Sequence, residues 1–152
     1  MSKRKLYNIY GKKQLNDKIE NEGFKRITCS FYNYFNIADP EELRDPLYHE
    51  FKKINILGRV YIAKEGINAQ ISVPENAWDS FIALTQKYPF MKKVHIKKAI
   101  QEGLSFLKLK ILIKKEIVAW GIPKEEYDMN HTGKHLNAKE FNNLITKEDT
   151  LL

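Results

Sequence analysis

The chain predicts an α+β fold: one sheet with two helices on one side, extended by an additional carboxy-terminal β-hairpin and a short helix. Three observations carry this expectation. β-Branched and aromatic residues crowd positions 26–35; "GRVYIAKEGINAQISVP", Gly58 to Pro74, alternates as two strands folded back on a glycine turn; and helical patterns opening near Pro40 and after Pro74 separate the strands. The resulting order over residues 26–100 is βαββαβ, the split βαβ or ferredoxin-like sandwich.

Each element has its own signal. Lys12 to Glu22, with Leu15 and Ile19 one turn apart and Gly23 as a stop, predicts a short helix behind a basic arm, so residues 1–25 form an amino-terminal appendage. Arg26 to Phe35 reads as the first strand. In "ADPEELRDPLYHEFKKIN", Asp39 caps, Pro40 fits the first helical position and Glu42 completes a capping box. Pro46 lacks a donor and biases Asp45 away from helical angles, which predicts one turn, then a kink or restart. Leu43, Leu47, Phe51 and Ile54 give the buried stripe. In the hairpin, Ile67, Ala69, Ile71 and Val73 share one face and Asn68, Gln70 and Ser72 the other. Trp78, Phe81, Ile82 and Thr85 keep helical spacing up to Pro89, and "KKVHIKKAI" predicts a further short strand.

Residues 101–152 read as an extension. "LSFLKLKILIKKEIVAWGIP" predicts a hairpin turning near Lys114 to Glu116, with Leu107, Leu109, Ile111 and Ile113 opposite Lys108, Lys110 and Lys114. "NAKEFNNLI" opens with an Asn137 cap and Glu140 three residues on, a short helix. "TKEDTLL" resembles the start of a strand whose sheet is missing.

The formal charge of +7 favours anionic partners such as nucleic acid. Only four of the 26 basic residues are Arg, so nucleotide bias in the gene explains the excess of Lys equally well. No apolar run approaches the roughly 18 residues of a membrane span, and the single cysteine, Cys29, fits a reducing cytoplasm. Cys29 sits inside a strand pattern as a small buried side chain rather than a nucleophile.

Parity leaves one sheet face open. With Ile27, Cys29 and Phe31 toward the helices, Ser30, Tyr32 and Tyr34 point away; with Val60 and Ile62 buried, Arg59 and Tyr61 join them, beside Asn68, Gln70 and Ser72. Such a face can stack bases and bind phosphate, or it can pack on the second hairpin or another domain. No complete catalytic constellation emerges. His131 and His135 are four apart with Gly133 between them and no acidic or cysteine partner nearby; His49 and His95 are isolated. Glu65, at the hairpin tip, has no evident base, nucleophile or metal to work with. The glycine-rich loop ending in Arg that acylphosphatase-type hydrolysis requires is missing, as are a Walker A loop and the signature strand of RNA-recognition motifs.

At "FYNYFNIADP", "GRVYIAKEGINAQIS" and "IVAWGI" the residues become specific. From about Arg26 onward the chain closely resembles, in one register, the amino-terminal domain of the bacterial rhodanese-related tRNA uridine(34) hydroxylases. The resemblance implies a cytoplasmic enzyme of two or more parts, in which a rhodanese-like domain with a Cys-Thr-Gly-Gly-x-Arg loop follows this one. It also implies hydroxylation of the wobble uridine to 5-hydroxyuridine, with molecular oxygen as co-substrate and no cofactor held by this chain. The implied partners are the tRNA anticodon stem-loop and the rhodanese domain of the same protein.

The sequence ends at Leu152, about where the first rhodanese strand is expected, and Cys29 does not occupy the position of the family's thiol. No catalytic residue is therefore transferred, and this chain alone is expected to be inactive. The contact candidates, for RNA or for another domain, are Arg59, Lys64, Glu65, Gly66 and Asn68 around the hairpin, with Tyr32, Tyr34 and Tyr61 on the sheet face. Gly66 is expected to let the tip approach a backbone closely. The competing expectation is a non-catalytic scaffold that only docks and orients the rhodanese domain.

Overall fold

The structure, a computed structural model, describes residues 6, 9–100, 105–118, 121, 122, 126, 128 and 133–147. The chain divides into two compact units, residues 1–120 and 121–152. The first holds α1 (Lys12–Glu20), β1 (Arg26–Tyr34), α2 (Pro40–Lys53), β2 (Leu57–Ala63), β3 (Gly66–Pro74), α3 (Trp78–Lys87), β4 (Lys97–Lys98) and β5 (Leu109–Ile113). The sheet order is β4-β1-β3-β2-β5. Its first four strands are antiparallel neighbours, the arrangement expected of a ferredoxin-like sandwich, and β5 joins in parallel beside β2.

Alternation places the core between sheet and helices. Cys29, Phe31, Val60, Ile62, Ile67, Ala69, Ile71 and Val73 are buried with Leu47 and Phe51 of α2 and Phe81 of α3. Phe81 lies at the centre, 6.2 Å from the Phe31 ring and 6.3 Å from that of Phe51. Complete burial of each such ring contributes about 2 kcal/mol, so the helix–sheet interface holds the layers together. At the start of α2 the Asp39 cap forms, accepting from the N–H groups of Glu41 and Glu42. Glu42 does not return a side-chain bond to the Asp39 N–H, so the expected capping box is only half made. Leu15 and Ile19 form the buried side of α1.

Three further expectations are corrected. First, α2 runs without interruption from Pro40 to Lys53, with Pro46 inside it. Pro46 is exposed, while Leu47 and Phe51 are fully buried. Their burial holds the helix through the missing hydrogen bond. Second, the "KKVHIKKAI" strand shrinks to Lys97–Lys98. Third, β5 begins at Leu109, leaving Leu107 before it, and Ile113 is 39% exposed rather than part of the apolar face. The expected second hairpin does not form among the described residues: β5 pairs in parallel with β2, Ile117 and Val118 bend, and Gly121 and Ile122 belong to no strand.

The second unit contains α4 (Ala138–Ile145). Its capping box forms as the sequence predicts: Asn137 Oδ1 accepts from the Glu140 N–H at 2.9 Å, and Glu140 accepts from the Asn137 N–H at 2.8 Å. That backbone bond, with Lys134 at 3.2 Å, holds the Glu140 carboxyl below its usual pKa. Of the terminal strand expected at residues 146–152, Thr146 and Lys147 form a turn after α4, and the remainder lies outside the described residues, as does His131.

Candidate functional site

The sheet face turned away from α2 and α3 is assembled by register. One row crosses four strands as Tyr32 (β1), Asn68 (β3), Tyr61 (β2) and Leu112 (β5). Two residues along, a second row crosses all five as Lys97 (β4), Ser30 (β1), Gln70 (β3), Arg59 (β2) and Lys110 (β5). Residues opposite one another share a face, so Lys97, Arg59 and Lys110 line up beside the tyrosines. All three cations are exposed, and Tyr32 is 54% exposed. The five strands contain no Asp or Glu, whereas α2 alone carries Glu41, Glu42, Asp45 and Glu50. A gene-wide bias toward Lys does not by itself separate charge in this way. Among the described residues none of the three cations forms an ion pair.

Both ends of this face are covered. At one end Ser105 Oγ lies 3.0 Å from Thr28 Oγ1, and Arg26 donates to the carbonyls of Ser72 and Asn55 while pairing through two bonds with Glu22. Ser72, expected to be open, is therefore buried although it stands on this face. At the other end the segment after β5 folds back. Lys114 donates from its backbone to Ile62 and holds its ammonium 5.3 Å from the Tyr61 ring centre, which leaves Tyr61 half-buried. Tyr34 sits edge-on to Tyr32 at 6.2 Å.

The hairpin tip turns inward. Glu65 accepts the Ile117 N–H at 2.7 Å, and Asn68 donates to the Ile117 carbonyl at 3.4 Å. Two residues chosen as contact candidates thus hold the segment that follows β5, and Ile117 is buried. The Lys64 and Glu65 carbonyls accept from Ile37 and Phe35. Gly66, at φ +150°, brings the tip against β1 rather than leaving it free: a Cβ there would meet the Asn33 carbonyl oxygen at 2.1 Å. Lys64 is exposed at the tip. Lys97 and Lys110 escaped the sequence reading because β4 is only two residues long and the parallel pairing of β5 with β2 leaves no local pattern.

Cys29 is buried on the helix side, where desolvation pushes its thiol up to about 12 despite the opposing charge of Lys98. Lys98 lies on the helix side, its ammonium 4.3 Å from the Trp78 ring centre. His49, His95 and His135 are exposed. Among the described residues no three His, Cys, Asp or Glu side chains come together as metal ligands, and no helix is long and apolar enough to cross a membrane.

Known proteins resemble the chain over nearly its whole length. It is 44% identical over 151 residues to a tRNA uridine(34) hydroxylase of Leptospira interrogans, covering 99% of this chain and 41% of that protein. A protein of the same name from Yersinia pestis is 41% identical over 148 residues, covering 96% of this chain and 42% of its own length. The chain thus spans about two fifths of these relatives. Among solved structures, full-length HypF in its phosphate- and nucleotide-bound form matches with TM-score 0.47 and 18% identity, covering 60% of this chain and 12% of that one. Residues 26–117 match the family described as UPF0176 acylphosphatase like domain, and the chain belongs to that family.

Proposed function

We propose that this chain is the tRNA-engaging amino-terminal part of an oxygen-dependent tRNA uridine(34) hydroxylase that forms 5-hydroxyuridine at the anticodon wobble position. The observation that carries the reading is the cation row Lys97, Arg59 and Lys110 beside Tyr32, on strands without a carboxylate. Chemistry at a pyrimidine edge requires the base out of its stack, and the backbone must be gripped meanwhile. Basic side chains supply that grip, and the names of the relatives supply the substrate class. Molecular oxygen is the co-substrate in this reading, and the reacting thiol lies outside these 152 residues because Cys29 is buried and stays protonated.

A second reading has its own support. Leu112 and Ile113 of the edge strand β5 are 41% and 39% exposed; they alternate onto the two faces of the sheet, so each face carries an apolar margin at β5. The margin formed by Leu112 beside Tyr61 is suited to docking a further domain. A scaffold that only orients a rhodanese domain uses that margin and needs no RNA affinity.

Incubating the chain with unmodified tRNA in air separates these readings. Binding at low ionic strength without any hydroxylated nucleoside is the expected result. Absence of binding even at low salt favours the scaffold, and appearance of 5-hydroxyuridine contradicts the placing of the reacting thiol elsewhere.

A further inference from the structure

We infer that the open face binds a single-stranded RNA segment laid across the strands, its phosphates along the Lys97–Arg59–Lys110 row and an unpaired base stacked on Tyr32. The inference rests on the tRNA reading above and specifies the form of RNA that the face takes. Neighbouring strands lie about 4.8 Å apart, so Lys97 and Lys110, four strand steps apart, span roughly 19 Å. That is a line of three positive charges crossing the sheet, not following a strand. The ring of Tyr32 stands two residues away along β1, about 7 Å from this line.

The covered ends fix the direction. The Ser105–Thr28 contact closes one end of the strands, and the Ile117 segment held by Glu65 and Asn68 closes the other. A polymer running along the strands meets both obstacles, whereas one running across them meets neither. A base can stack on Tyr32 only if its own face is free, which pairing within a duplex prevents. Gln70 and Ser30, between the cations, offer neutral polar groups to the sugar or phosphate. The exposed Lys97 and its neighbour Lys98 make an internal comparison: the first is in the row, the second lies over Trp78 on the other face.

The test is binding of a short oligouridylate, and of the same strand paired with its complement, to the intact chain over a series of salt concentrations. Three phosphate contacts predict a log–log slope of about −2 for the single strand. Lys97→Ala and Lys110→Ala should each reduce that slope by about 0.7, and Lys98→Ala should leave it unchanged. Tyr32→Ala should weaken binding about tenfold, with Tyr32→Phe retaining it because the ring remains. Circular dichroism confirms that each variant is folded. Duplex binding as tight as single strand, or equal effects of Lys97→Ala and Lys98→Ala, overturns the inference while leaving tRNA engagement standing. Failure to bind any RNA, tRNA included, overturns both.

Discussion

Cys29 illustrates how one position sets a chemical limit. Its side chain shares the helix side of β1 with Phe31, where a thiolate would be stripped of water, so burial pushes its pKa from an ordinary 9.0 to about 12. Between those values the unfolded chain releases the proton and the folded chain keeps it. The folded state then binds more protons, so stability falls as pH rises from about 9 to 12. The slope from this group reaches at most about 1.4 kcal/mol per pH unit. Denaturant titrations across that window should show a shallower decline in Cys29→Ala than in the parent chain. Parallel curves would mean that the thiol ionises freely in the folded state. The burial of Cys29 was legible from the sequence, since alternation with Phe31 fixes its side. The fate of Glu65 was not: its partner, the backbone of Ile117, is 52 residues away, and only the folded arrangement brings them together.

At the scale of elements, α2 shows where local rules yield to packing. Pro46 argues for a break, yet the helix continues because Leu47 and Phe51 are anchored in the core while Pro46 faces outward. Pro46→Ala restores a backbone donor and removes the ring's conflict with the preceding turn at an exposed site. It should stabilise the fold by about 1–3 kcal/mol, read as a higher urea midpoint with unchanged m. No gain would show that the helix has already relaxed around the ring. The hairpin of β2 and β3 was readable because its alternation is strict and its turn carries Gly66. The β1-side contact of Gly66 was not readable, because the glycine meets a strand distant in sequence. The pairing of β5 was hidden for the same reason: a parallel neighbour gives no turn signal, and the apolar run fits a hairpin arm equally well.

Across the molecule, the βαββαβ order was recoverable because six elements in sequence admit few topologies, whereas the working surface depends on register. The excess of Lys could not be assigned to function from composition. Register changes that by collecting Lys97, Arg59 and Lys110 from three strands onto one line, while acidic residues gather on α2 and elsewhere off the sheet. Family membership and the names of relatives bring tRNA to this surface as a proposal; the geometry supplies the means of holding it. The most direct test is a nuclear magnetic resonance titration of the chain with unmodified tRNA at low salt. The account predicts that the largest shifts map to Lys97, Ser30, Gln70, Arg59, Lys110 and Tyr32, with α2 and α3 unmoved. Shifts confined to the helical side, or none at all, would contradict it.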